Sequence, residues 1–196
     1  MFHVKHWIKI DLITKIIYII RDTTFIFETG QDWKIAALKV NECVCHFLLV
    51  GDNMNEKYMT VALKEAKKAF KKNEVPIGTV IIKNNKIIAK AHNQKEKTNI
   101  VTKHAEIIAI EKACKKLKTW HLNECILYTT VEPCLMCSGA IIQSRIKKVI
   151  FATTNEKYGE LKNIVKNNNY KIQIEEGILK NKSIELLQNF FDKKRR

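Results

Sequence analysis

Between residues 55 and 72 the apolar side chains Met59, Leu63, Ala66 and Phe70 recur at three- and four-residue spacing, and lysines fill the other face. That period predicts an amphipathic helix, which ends near Asn73, ahead of Pro76. Residues 77–82 form a β-branched run, Lys83-Asn84-Asn85-Lys86 is turn-like, and Ile87-Ile88-Ala89 resumes the apolar pattern. A hairpin is expected there. Residues 94–101 are polar and read as a loop, and Thr102 is placed to cap a helix over 103–117. Residues 126–130 read as a strand. Pro133 suits the first turn of a helix that carries Cys134 and Cys137 to about Ser144. Strands follow over 148–152 and 170–174, the second closed by Gly177, and a last helix spans 183–196. Strands and helices alternate, so the expected fold class is α/β, with helices on both faces of one sheet.

Residues 1–53 show no such period. They are expected to be an N-terminal extension of unknown role, not native to the domain or poorly ordered, and dispensable to it. The alternative is an extra element docked on the domain. Residues 10–20 are apolar but too short to span a bilayer, hold Asp11 and Lys15, and lack a small-residue cleavage site. Cys43-Val44-Cys45-His46 has no second ligand pair and reads as incidental rather than as a metal cluster. From Met54 onward the chain reads as a complete domain.

Charge sharpens this division. The 196 residues carry 35 Lys and Arg against 20 Asp and Glu, a formal net charge of +15. Residues 1–53 hold six basic and six acidic side chains, so the whole excess lies in 54–196. A coding bias toward Lys, Ile and Asn would raise charge uniformly. A step of this kind points instead to a polyanionic partner such as nucleic acid. The six cysteines do not form a disulfide framework: Cys114 and Cys125 sit in apolar periodic stretches as small hydrophobes. A reducing, cytoplasmic setting is expected.

The chemistry is concentrated in His104-Ala105-Glu106 and in Pro133-Cys134-Leu135-Met136-Cys137. One imidazole and two thiols make three zinc ligands. A structural zinc site closes its tetrahedron with protein, whereas a catalytic one leaves a corner for water. A carboxylate two residues after the His is what such a water needs as a proton shuttle. Cys134 and Cys137 share a helix face in a first turn, where the positive end of the helix stabilises thiolates. The combination points to hydrolysis at an amino-bearing carbon. Two plainer readings stand beside it: a structural zinc site closed by His121, and Glu106 as an ordinary solvated carboxylate.

These residues resemble the zinc-dependent nucleoside deaminases, whose signature is H-A/C-E with P-C-x-x-C. More narrowly, Glu74-Val75-Pro76-Ile77-Gly78, His92-Asn93, the run from Glu132 to Ala140 and Ser144-Arg145-Ile146 are similar to the bacterial tRNA adenosine deaminases, which convert the anticodon wobble adenosine to inosine. Phe190-Phe191 with Lys193, Lys194, Arg195 and Arg196 is similar to their basic, aromatic last helix. The resemblance runs from about Met54 to the end. It implies a three-layer α/β/α cytidine deaminase-like fold, with one central mixed sheet, and a zinc-dependent deaminase domain over 54–196. It implies His104, Cys134 and Cys137 as ligands of one zinc ion per subunit and Glu106 as the proton shuttle. Asn93 would bond the flipped base, though an ordinary turn residue is its alternative. Val75, Pro76 and Ile77 would wall the pocket, and backbone near Cys134 would polarise the reacting oxygen. It further implies a homodimer, a tRNA anticodon stem-loop as partner and no membrane.

An adenine inside a folded loop must be everted to reach a recessed ion, and single-stranded loops are read through such splayed bases. Asn155, Lys157, Phe190, Phe191, Lys194 and Arg195 are the candidate RNA contacts. Core packing is the alternative for the two Phe residues, and their adjacency suggests one packed and one exposed. Two stretches depart from the family. Ile100-Val101-Thr102-Lys103 replaces Asp-Pro-Thr-Ala. Asn155 takes the place of an Asp, and Tyr158-Gly159-Glu160-Leu161-Lys162-Asn163 keeps only the first glycine of Gly-Ala-x-Gly-Ser. This second stretch is expected to touch RNA near the flipped base. Deamination of free cytosine, guanine or deoxycytidylate is the runner-up. A catalytically silent, zinc-containing nucleic-acid-binding module is the third reading, and Glu106 speaks against it.

Overall fold

The computed structural model describes residues 54–168 and 170–195 in full, together with the backbone of 10–12, 15–20, 23–28 and 43–53. The chain divides into two compact units, Met1–Glu42 and Cys43–Arg196. In the first, β1 (Ile10–Leu12), β2 (Lys15–Ile20) and β3 (Thr23–Glu28) pair antiparallel in that order. The sequence reading placed no element here. Both longer strands are rich in β-branched and aromatic residues, which suit a pleated strand.

The second unit begins with α1 (Cys43–Lys71), which starts well before the position 55 that the apolar spacing gives. Cys43-Val44-Cys45-His46 opens this helix, and its side chains lie outside the described residues. Asn73, at φ 58°, ends α1 in the left-handed region that Asn tolerates. The expected hairpin is β4 (Gly78–Lys83) and β5 (Lys86–His92), turned by Asn84 and Asn85 at φ 50° and 57°. Two successive positive φ values are what a two-residue hairpin turn requires.

The remaining elements are α2 (Lys95–Thr98), α3 (Ala105–Leu117), β6 (Cys125–Val131), α4 (Leu135–Gln143), β7 (Lys148–Thr153), α5 (Leu161–Asn167), β8 (Gln173–Glu176) and α6 (Lys180–Arg195). Two differences from the sequence reading stand out. A single helical turn, α2, sits in the expected loop over 94–101, and α5 was not expected at all. Each is too short to show a period, and α5 buries only Leu161.

Five strands form one sheet in the order β5-β4-β6-β7-β8. The β4 pairings are antiparallel, and β6, β7 and β8 run parallel, so the sheet is mixed. Alternation along the strands divides the core. Ile81, Leu127, Val149 and Phe151 face Ile108, Ala109, Ala113 and Ile141 of α3 and α4. Val80, Ile82, Tyr128, Ile150 and Ala152 face Tyr58, Met59 and Ala62 of α1. Strands covered on both sides read as near-continuous apolar runs, which is why 77–82 and 148–152 showed no alternation. The result is the three-layer α/β/α arrangement expected. Helix α6 joins the α1 layer: the Ser183 hydroxyl donates to the Thr130 carbonyl at 2.7 Å, and Phe190 packs edge-on to Phe70. Among the described residues no helix is long and apolar enough to cross a membrane.

Helix α1 lies close on β4 because Ala62, Ala66 and Ala69 are small and fully buried beneath it. At Gly78 a Cβ would stand 2.1 Å from the Ala62 carbonyl oxygen and 2.5 Å from the Ala66 nitrogen. Gly78→Ala is therefore expected to cost about 1–3 kcal/mol, as overpacking does. Urea unfolding measures it, and an unchanged midpoint would contradict this contact.

Candidate active site

Two helices begin at the same place. His104 is the N-cap of α3 at φ −75°, ψ 154°, and Cys134 is the N-cap of α4 at φ −72°, ψ 173°. The expected cap at Thr102 is therefore displaced by two residues. Neither residue makes a side-chain capping bond to its helix. Cys137 completes the first turn of α4. The His104 Nδ1 atom lies 3.6 Å from the Cys134 sulfur and 3.5 Å from the Cys137 sulfur. All three ligand atoms lie within 4.8 Å of one another. A tetrahedral zinc ion, with sulfur at ~2.3 Å and nitrogen at ~2.05 Å, sets the S···N separation at about 3.6 Å. The three residues thus fit such an ion. His121 stays out of this group: its Nδ1 lies 3.3 Å from Arg145 Nη1, and its ring packs against Trp120 at a tilt of 53°.

The hydrogen bond between the two thiols drives their proton affinities apart. The hydrogen bond from Cys137 pulls the Cys134 thiol down to about 4, and His104 adds to the effect. Cys137 is pushed upward by the same bond and by burial. His104 is raised by its hydrogen bond to Cys134, against burial. A cation placed among them replaces that proton and lets both sulfurs act as thiolates.

Glu106, the second residue of α3, is 3% exposed. Burial pushes its carboxyl up to about 7, although His104 opposes the shift. Its Oε2 is buried without a hydrogen-bond partner, alone in this among the side-chain atoms of the described residues. A solvated helix carboxylate would show neither property. The arrangement suits a group that exchanges a proton near neutral pH.

The expected base-binding residues are fastened beside the ligands by backbone bonds. The Asn93 N–H donates to the Ile77 carbonyl at 3.1 Å, and the Gln94 N–H donates to the Lys103 carbonyl at 3.0 Å. Asn93 and Pro76 are buried, and Val75 and Ile77 half-buried.

Two acids that the sequence reading quoted but gave no role frame this ground. Glu74 is fully buried and accepts from the amides of Glu96 and Lys97 and from Asn93 Nδ2. Glu132, also buried, accepts from the Lys162 amide at 3.3 Å and the Asn155 amide at 3.5 Å. Gly159 lies against it: a Cβ there would stand 2.5 Å from Glu132 Oε2. Gly159 also forms an isolated bridge with Cys134. The divergent segment is therefore docked directly on a ligand residue. The one signal for both acids was a Glu shortly before a Pro in each quoted motif.

The candidate RNA residues fall in two places. Asn155 is half-buried, accepting from the Tyr158 amide at 3.1 Å, and Lys157 is exposed in the same turn. Phe191, Lys194 and Arg195 are exposed at the end of α6, in the layer opposite α3 and α4. Phe190 is 3% exposed and packs between Phe70 and Phe191, so its ring serves the core and Phe191 carries the exposed face.

The model of the MafB19-like deaminase family matches residues 53–195. A tRNA-specific adenosine deaminase of Aquifex aeolicus is 45% identical over 145 residues, which is 71% of this chain and 95% of that protein. The tRNA-specific adenosine deaminase of Bacillus subtilis is 43% identical over 142 residues, 70% of this chain and 88% of that one. A structure solved in a study of A-to-I editing by tRNA:A34 deaminases at the wobble position of transfer RNA superposes with a TM-score of 0.63. It is 34% identical, and the match covers 67% of this chain and 99% of that one. With the convergent His104, Cys134 and Cys137, the buried Glu106 and the mixed five-stranded sheet in place, the chain belongs to the MafB19-like deaminase family.

Proposed function

We propose that this protein hydrolyses adenosine to inosine at the wobble position of a tRNA anticodon, using one zinc ion per subunit held by His104, Cys134 and Cys137. The single observation that carries this reading is Glu106, a buried carboxyl with an unpartnered oxygen beside three convergent ligand atoms. The names of the similar tRNA-specific deaminases support the choice of substrate. When bound, zinc supplies the Lewis acidity that lets water act as a nucleophile near neutral pH.

The residues of the chain do the rest. Water adds at C6 of the everted adenine, the C6–N6 bond breaks, and ammonia leaves. Glu106 takes the first proton of the attacking water and passes it to the ring nitrogen, then takes the proton of the added C6 hydroxyl and delivers it to N6, which leaves as ammonia. Its affinity for protons, raised by burial, suits a group that must both accept and give. Asn93 hydrogen-bonds the base, while Val75, Pro76 and Ile77 enclose it. Asn155 and Lys157 meet the RNA beside the flipped base. Phe191, Lys194 and Arg195 meet it at the end of α6, with stacking from the ring and phosphate contacts from the charges. A cytoplasmic homodimer completes the proposal, as does a self-sufficient deaminase domain at 54–196.

The test is incubation with an anticodon stem-loop that carries a wobble adenosine, scored for inosine, with free cytidine and guanine as parallel substrates. Inosine from the stem-loop alone is expected; turnover of a free base alone would replace this reading with the runner-up. Glu106→Ala should retain zinc and fold but lose on the order of a hundredfold or more in rate, as removed acid–base groups do. Undiminished deamination by this variant would refute the role given to Glu106. A protein started at Met54 should match the full chain in zinc content and turnover, and loss of either would show that 1–53 is needed.

A further inference from the structure

Glu74 is a fully buried acid that takes no part in the chemistry above. Its main chain is fixed by the end of α1. The Glu74 N–H donates to the Ala69 carbonyl at 3.0 Å, and the Asn73 N–H donates to the Phe70 carbonyl at 3.1 Å. These two bonds, with Asn73 in the left-handed region, make a Schellman end. Its side chain is fixed from the opposite side. Oε1 accepts from the Lys97 amide at 2.7 Å, and Oε2 accepts from the Glu96 amide at 3.1 Å and from Asn93 Nδ2 at 3.3 Å. Gln94, the N-cap of α2, makes no side-chain cap of its own, so Glu74 caps that turn from across the chain. Among the described residues no Lys or Arg forms an ion pair with it.

A carboxylate can only accept hydrogen bonds. Its contact with Asn93 therefore decides which end of that amide faces inward. Nδ2 turns to Glu74, and Oδ1 with the second N–H is left for the base. We infer that Glu74 is a positioning residue for base recognition: it fixes the orientation of the Asn93 amide, and through it the hydrogen bonds that an incoming base must match. This rests on the deaminase reading with Asn93 against the base. Glu74→Gln places an NH₂ group among three N–H donors. That group can be satisfied by the Asn93 amide turning its Oδ1 inward, which withdraws the acceptor from the pocket.

A double-mutant cycle on kcat/KM for the adenosine stem-loop tests this. Glu74→Gln is expected to lose about ten- to a hundredfold in the wild-type background, the scale set by an unsatisfied buried partner. In the Asn93→Ala background it should lose less than about threefold, because the two residues act through one contact. Equal losses in both backgrounds would make Glu74 a fold residue only and overturn the inference. If Glu74→Gln does not fold, Glu74→Asp, which keeps the charge and shortens the reach by one methylene, takes its place in the cycle. A second readout needs no activity. In ¹H–¹⁵N spectra one side-chain N–H of Asn93, assigned by its absence in Asn93→Asp, should be protected from exchange in the wild type and unprotected in the Glu74 variant. Equal exchange in both would also overturn the inference. A wild type that deaminates nothing would sink the deaminase reading, while amide exchange would still decide the orientation of Asn93.

Discussion

His104 Nδ1 and the sulfurs of Cys134 and Cys137 stand at separations that suit one ion, and the surrounding elements set that spacing. Strand β6, covered on both faces, carries the chain to Val131 along a fixed line. Pro133 then turns it so that Cys134 caps α4. Helix α3 arrives from the other side, with Lys103 tied to Gln94 just before His104. Neither side chain is used up in capping its helix. The positive ends of two helices face one point, which favours thiolate charge there.

Three buried acids surround this point, and the contrast between them is informative. A carboxylate withdrawn from water costs several kcal/mol unless hydrogen bonds replace its solvation. Glu74 and Glu132 meet that condition with backbone amides, and each ties a loop to the frame. Glu106 does not, since one of its oxygens has no partner. The first two acids hold geometry. The third has an oxygen that no protein group engages.

Much of this was legible in the sequence. The grouping of His104, Cys134 and Cys137 was expected from spacing, because residues at two helix starts leave short, regular motifs. The layered fold followed from alternating elements, and the division of Phe190 and Phe191 from their adjacency. Less was visible where one turn or one long-range bond decides the outcome. His104, not Thr102, caps α3, because the long-range bond from Gln94 to Lys103 holds the chain extended up to that point. Helix α2 depends on Glu74, some twenty residues earlier in the chain, so no local pattern announces it. The roles of Glu74 and Glu132 lie wholly in contacts with distant amides. A Glu in a list of residues looks the same whether it is solvated or buried.

Glu132 grips the segment after β7 through the amides of Asn155 and Lys162, while Gly159 lies flat against it. Every amino acid except proline offers the same amide, so this anchor does not read side chains. The segment can exchange most of its surface without losing its mooring. The constrained positions are few: proline is excluded at 155 and 162, anything bulkier than hydrogen at 159, and a polar side chain at the buried 161. That explains how the stretch departs so far from its relatives and still retains its first glycine. The exposed surface of this segment is an interchangeable fitting on an unchanging mount.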